Sequence, residues 1–266
     1  MPLSLAERER ARAVALEAAH EAGRLLLGHF GRLDPARIGH KTAARDLVTE
    51  ADLASERCLV ERLRHAFPGH AIEAEEAVRD AASSAPRWFL DPLDGTVNFV
   101  HRLPCFAVSL GLFVDGRPEV AVVHAPRLGE TFSALRGEGA YLAGERLQVS
   151  PAEALADSLL ATGFPYRREG TRASNLENFA ALLHEVRDLR RMGSAALDLA
   201  YVAAGRFDGY WELHLAPHDV AAGALLVREA GGLVTDLDGG EAWLRGGHIL
   251  AAGPALHARL RPRLVH

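Results

Sequence analysis

Cysteine is scarce in this chain of 266 residues, with Cys58 and Cys105 the only two. Reduced thiols in a cytoplasmic protein are therefore the expectation. A basic surplus is lacking too: 30 lysines and arginines face 35 aspartates and glutamates, for a formal net charge of -5. That balance gives nothing to draw the chain onto nucleic acid or anionic lipid, and leaves small neutral or anionic metabolites open as ligands. No apolar run approaches the roughly 20 residues that cross a bilayer. The first residues, MPLSLAERERARA, have neither the basic start nor the apolar stretch of a signal peptide. The thirteen histidines are scattered along the chain. RGEGAYLAGE has glycines but not the lysine of a P-loop, so turns explain it. Internal repeats, low-complexity tracts and linker-like breaks are missing as well.

What is present is 48% hydrophobic content, enough to bury a large core without a partner. One compact unit over residues 1–266 is expected, with subdomains of about 1–150 and 151–266. Residues 4 to about 30 read as an amphipathic helix, with Ala11, Val14, Ala18, Ala22 and Leu25 at spacings of three or four. A second helix is expected from Ala51 to Phe67, stopped by Pro68 and Gly69, with Cys58 packed inside it near Leu59 and Leu63. FAVSLGLFV and PEVAVVHAP flank Asp115 and Gly116, a hairpin signal between β-rich runs. The first half is thus helices laid on a largely antiparallel sheet. From about residue 157 strands and helices alternate: SLLATGF, a helix from 172 to 188, helices in GSAALDLAYVAAG and HDVAAGALLVREAGG, the strand GLVTDL, and a strand and helix from Ile249. Layers of helix and sheet follow.

The stretch FLDPLDGTVNF, residues 89–99, runs from apolar residues straight onto two acids. A strand ending at Leu90 would deliver Asp91 at its carboxyl edge, Pro92 would turn the chain, and Asp94 would face back into the same space. Gly95 and Thr96 follow, with backbone N–H groups able to bind an anion at the start of a short helix or turn. Two carboxylates beside an anion site repel each other and the anion, so a cation is required. The nearby donors are oxygens, which suggests Mg²⁺ or Mn²⁺. An acidic turn capping a helix is the bland alternative for this stretch. Solvated glutamates serve equally for Glu75 and Glu76 in AIEAEEA, and a helix cap for Asp219 in PHDVAAGALLVREAGG. Each such reading suffices alone; all three together do not.

With those motifs in view, the chain resembles the inositol monophosphatase family, its bacterial members above all. WFLDPLDGTVNFVHRLP is similar to the family's first signature, HDVAAGALLVREAGG to its second, and RRMGSAALDLAYVAAGRFDGYWE to its substrate-side segment; KTAARDLVTEAD and EAEE match two upstream motifs in order. The resemblance implies an α/β (α+β) fold, a layered αβαβα sandwich, and a Mg²⁺-dependent, lithium-sensitive phosphomonoesterase that is commonly a homodimer. It implies that Glu75, Asp91 and the carbonyl of Leu93 hold one Mg²⁺, that Asp91, Asp94 and Asp219 hold a second, and that Glu76 lies close by, for two or three ions per site with Mn²⁺ as an option. In such hydrolysis one ion activates water and the other offsets charge on the leaving oxygen. Thr96 with Glu75 would orient the water, Gly95 and Thr96 N–H groups would hold phosphate oxygens, Asp52 would stand behind Thr96, and Lys41 would balance the acids. Asp94, Ala195 and Glu212 would meet the ring hydroxyls of the alcohol.

The chain departs from the family pattern in three places, one of them Glu50 in VTEAD, expected to point away from the site as a helix-start acid. Ala74 stands where glycine usually precedes the paired glutamates, and His218 where tryptophan or another large apolar residue commonly precedes the aspartate. A stacked or solvent-facing ring is expected for His218, because Mg²⁺ prefers oxygen. Arg190 and Arg191 are open to a surface, dimer or anion role. The expected activity is hydrolysis of inositol 1-phosphate. The alternatives are a same-fold phosphatase for fructose 1,6-bisphosphate or a nucleotide such as 3'-phosphoadenosine 5'-phosphate, and a non-catalytic regulatory binding protein.

Overall fold

The structure is a computed structural model that describes residues 3–34, 36, 38–40, 47–81, 84–165 and 174–266, without the side chain of His40. Lys41, Arg167 and Arg168 lie outside the described residues. Helix α1 (Leu5–His29) begins at Ser4, whose hydroxyl accepts the Glu7 N–H while the Glu7 carboxylate accepts the Ser4 N–H, a reciprocal cap. Its buried stripe is Ala11, Ala15, Ala18, Ala19, Ala22 and Leu26. Leu25, expected on that stripe, is exposed, because the face is turned by about one residue so that alanines let the helix sit close to a sheet. A short ribbon, β1 (Gly39–His40) with β2 (Leu47–Val48), leads into α2 (Glu50–Ala66), which packs beside α1.

The first sheet contains β3 (Ala71–Ala74), β4 (Arg87–Asp94), β5 (Ala107–Val114), β6 (Arg117–Ala125), β7 (Glu130–Leu135), β8 (Gly139–Leu142) and β9 (Glu145–Arg146), in that spatial order. Only the β3–β4 pair is parallel. The Asp115-Gly116 turn joins β5 to β6 with φ of 48° and 74°, the positive pair that a tight hairpin requires. Alternation along the strands divides the core. Trp88, Leu90, Leu110, Leu112, Val120 and Val122 face α1 and α2, while Phe89, Phe113, Ala121 and Val123 face α5 (Ala195–Ala203) and α6 (Pro217–Glu229).

Beyond α5 and α6 lies a second sheet in the order β11 (Asp188–Arg190), β10 (Leu159–Thr162), β12 (Gly209–Leu213), β14 (His248–Ala252), β13 (Leu233–Thr235). Ala161, Tyr210, Ile249 and Ala251 meet the helices between the sheets. Leu160, Trp211, Leu213 and Leu250 meet α4 (Leu176–Leu183) and α7 (Pro254–Leu260) on the outside. The layers are therefore αβαβα. At Gly111 a Cβ would stand 2.9 Å from the Ala221 Cβ, so the missing side chain sets how near α6 lies to the first sheet.

Two expectations need correction. The helix expected over 172–188 is α4, only Leu176–Leu183, because Asp188–Arg190 pairs as a parallel strand with Leu159–Ala161. The strand expected to stop at Leu90 runs on to Asp94, with a register shift between Asp91 and Asp94 against β5. Pro92 is accommodated in that irregularity instead of ending the strand.

Candidate metal centre and active site

The N-terminal half of α2 supports the site from below. Asp52, Ser55, Glu56, Leu59 and Leu63 share its buried face, so the stripe is leucine at one end and acid and hydroxyl at the other. The Ser55 hydroxyl donates to the Pro92 carbonyl at 2.7 Å and fixes the irregular part of β4. Glu56, 3% exposed, accepts the N–H groups of Glu76, Ala77 and Val78 at 2.7, 2.9 and 3.2 Å. Those bonds hold the turn that carries Glu75 and Glu76, both half-buried. Neither role was anticipated from sequence; acids lying on an otherwise apolar helical stripe are the signal that could have found them. Glu56→Ala is expected to reduce stability by about 3 kcal/mol, since three N–H groups lose their shared acceptor together. A lower urea midpoint alongside weakened Mg²⁺ binding by calorimetry checks this, and an unchanged midpoint contradicts it.

Asp91 lies at the irregular part of β4, 2% exposed. Its Oδ1 accepts the Leu93 N–H at 3.0 Å. Burial, then the facing Glu75, Asp94 and Asp219, push its carboxyl well above the usual range. Asp94 is also buried; its Oδ2 accepts the Ser194 hydroxyl at 2.6 Å and the Ala196 N–H at 2.7 Å, at the start of α5. Burial lifts its carboxyl to about 7, with the Ser194 bond opposing and Asp219 adding to the rise. Ser194 stands at the N-cap of α5 yet makes no cap bond to its own helix; its hydroxyl serves Asp94.

Gly95 adopts φ of 95° and a Cβ there would lie 2.9 Å from the Cys105 carbonyl oxygen, so glycine is needed both for the conformation and for the space. It starts α3 (Thr96–Val100). The buried Thr96 hydroxyl lies 3.0 Å from Asp52 Oδ1 and 3.1 Å from the Leu93 carbonyl. Asp52 Oδ2 accepts the Thr49 N–H and hydroxyl at 2.9 and 2.6 Å. Asn98 donates to the carbonyls of Cys105 and Met192, tying α3 to the segment before α5.

Asp219 is the third residue of α6, and its Oδ2 accepts the Ala216 N–H at 2.6 Å. It is both a helix-start acid and a neighbour of Asp91. His218 is not solvent-facing and, among the described residues, not stacked as expected: it is 7% exposed, and one of its ring nitrogens and carboxylate oxygens of Glu75 and Asp91 all lie within 4.8 Å of one another. Ala74 is fully buried and its methyl packs in the core beneath α1 and α2.

Next to these acids a cavity is lined by Asp94, Ser194, Ala195, Asp198, Glu212 and Asp219, with Arg191 and His214. The Glu212 carboxylate accepts the Tyr210 hydroxyl, and burial lifts it to about 7. Gly163 makes room for it, since a Cβ there would stand 2.1 Å from Glu212 Oε1. Asp198 was not singled out from sequence: it is buried on α5, its Oδ1 has no hydrogen bond among the described residues, and burial with Glu212 and Asp94 raises its carboxyl well above the usual range. Arg191 is exposed at this cavity, whereas Arg190 pairs with Asp188 at 2.5 Å. A roomier cavity of about 920 Å³, beside Arg228 and Trp243, contains none of the clustered acids.

Oxygen donors concentrated on one buried aspartate, with like charges facing it, fit a hard divalent cation. The profile of the inositol monophosphatase family matches residues 7–266. The Nus factor SuhB of Escherichia coli strain K12 is 44% identical over 256 residues, covering 94% of this chain and 96% of that one. The Nus factor SuhB of Pseudomonas aeruginosa is 46% identical over 262 residues, with coverage of 94% and 96%. Among solved structures, an inositol monophosphatase from Anabaena superposes with a TM-score of 0.87 at 40% identity, over 96% of this chain and 95% of that chain. The shared fold, the extent of these matches and the family profile agree, and this chain belongs to the inositol monophosphatase family.

Proposed function

We propose that this chain is a Mg²⁺-dependent phosphomonoesterase that hydrolyses inositol 1-phosphate to inositol and phosphate. The observation that carries the reading is Asp91, buried and pressed by Glu75, Asp94 and Asp219, an arrangement that a cation would relieve. Glu75, Asp91 and the Leu93 carbonyl would hold one ion and Asp91, Asp94 and Asp219 another, with Glu76 near the first. The ions would supply charge neutralisation on the phosphoryl group and on the leaving oxygen, and would acidify water.

The chain's own groups do the orienting. With its proton directed to Asp52, the Thr96 oxygen is left as an acceptor for one water hydrogen, and the Glu75 carboxylate takes the other. The first N–H groups of α3, from Gly95 and Thr96, hold phosphate oxygens. Water oxygen joins phosphorus, the ester P–O bond breaks, and the alcohol leaves with a proton. Asp94, Ala195 and Glu212 face the alcohol, where carboxylates accept hydroxyl hydrogen bonds and repel a second phosphate. The same reading makes the protein a lithium-sensitive homodimer of the cytoplasm, with Lys41 balancing the acids.

Glu212→Gln is expected to lower kcat/KM for inositol 1-phosphate by about 1 to 3 kcal/mol, and to leave an aryl phosphate too small to reach it almost unaffected. Equal losses on inositol 1-phosphate, fructose 1,6-bisphosphate and the aryl phosphate, or a wild-type preference for the bisphosphate, contradict the substrate. The name of the curated relatives, Nus factor, favours a second reading as a non-catalytic binding protein. Against it stand Glu75, Asp91, Asp94, Thr96 and Asp219, all retained.

A further inference from the structure

His218 is the feature near the acids that the proposed function leaves unused. It follows Pro217 at the start of α6, and the packing of that helix against the first sheet fixes where its ring lies. The ring is 93% removed from solvent, being only 7% exposed. Among the described residues it makes no hydrogen bond: the nearest charged partner, Asp219 Oδ1, is 3.7 Å from its Nε2, too far for one. Here the ring is aimed at carboxylates, with a nitrogen within 4.8 Å of oxygens from both Glu75 and Asp91.

That spread is the one a shared cation would close. Ligand atoms about 2.1 Å from one ion are about 3 Å apart when adjacent and about 4.2 Å apart when opposite. Atoms that already lie within 4.8 Å of one another need to close by less than about 2 Å to reach that spacing.

We propose that His218 supplies an imidazole nitrogen to the cation held by Glu75 and Asp91, so that this position prefers Mn²⁺, or another divalent ion that accepts nitrogen, over Mg²⁺. The inference rests on the metal-dependent reading above and refines it at one position. Its chemical basis is donor type: Mg²⁺ keeps to oxygen and gives up water reluctantly, whereas imidazole suits the later divalent metals. A large apolar side chain at this place, such as the family commonly carries, offers the ion no donor.

Mn²⁺ itself is the probe, added to the metal-free full-length protein. Pulsed EPR of the bound ion is expected to show ¹⁴N modulation from a coordinated imidazole in the wild type and none in His218→Phe. Titration calorimetry is expected to show the ratio of Mn²⁺ to Mg²⁺ affinity falling about tenfold in the variant. Absence of nitrogen modulation in wild-type protein with Mn²⁺ bound overturns the inference, and needs no variant to fold. Modulation that persists in His218→Phe, or an unchanged affinity ratio, overturns it equally. If Mn²⁺ binds without nitrogen modulation and Asp91→Asn abolishes that binding, the metal-dependent reading stands and only the role of His218 falls. If neither ion binds the wild type, both fall.

Discussion

Asp91→Asn is expected to reduce phosphate release by about a thousandfold or more, because under the proposed function it removes a carboxylate that two cations would share, and with it about 4 kcal/mol of transition-state charge stabilisation. The fold should survive. Asn retains the carbonyl oxygen that accepts the Leu93 N–H at 3.0 Å, so the irregular turn of β4 keeps its local bond. The metal-free variant should even melt above metal-free wild type, since a carboxyl crowded by Glu75, Asp94 and Asp219 is gone. Kinetics at saturating Mg²⁺ and thermal melts with a chelator measure both effects. Near-normal turnover would remove Asp91 from the metal centre, and a variant that does not fold would assign it a structural role.

The second large effect is on stability. Stripped of divalent ions, the protein is expected to lose stability as pH rises toward neutrality and beyond. Burial raises Asp94 from 3.8 to about 7, against the Ser194 hydrogen bond, and burial raises Glu212 from 4.5 to about 7, against the Tyr210 bond. In both cases the folded state holds its proton more tightly than the unfolded chain. The stabilisation is therefore complete below the unfolded pKa and is lost as pH rises through about 7. The fall in melting temperature is expected to be steepest between about pH 5 and about pH 7, below which the folded site keeps these protons. Under the proposed function Mg²⁺ would bind the ionised acids and should flatten or reverse the trend. Melts from about pH 5 to about pH 8, with chelator and with Mg²⁺, test it. A flat profile in chelator, or the same decline in both, would contradict the account.

The part of the site written in one stretch was the part legible in the sequence. Asp91, Asp94, Gly95 and Thr96 lie within six residues, and two acids around a proline before Gly-Thr pose their own electrostatic problem. The layers were legible for a similar reason: period-two alternation in β4, β5 and β6 allots each side chain to one core or the other. What escaped was set by long-range packing. Ser194 reads as an ordinary N-cap and becomes a partner of Asp94 only when residues 100 apart in sequence meet. Asp198 reads as one acid in an apolar helix until Glu212 and Asp94 are seen around it. His218 was assigned by the preference of Mg²⁺ for oxygen, which concerns the ion and says nothing of where helix packing puts the ring. At Asp188–Arg190 pairing with β10 overrode a helical reading of a short, mostly charged segment, and at Pro92 an irregular strand took a residue that normally stops one.

Asp91 and Asp94, buried together and facing Glu75 and Asp219, make a metal-loaded phosphatase the central claim. Its most direct test is phosphate released from inositol 1-phosphate, fructose 1,6-bisphosphate, 3'-phosphoadenosine 5'-phosphate and an aryl phosphate, each with Mg²⁺ and with chelator. The account predicts turnover only with the cation, highest on inositol 1-phosphate. Activity indifferent to chelation, or no phosphate released from any of the four with Mg²⁺ present, would contradict it.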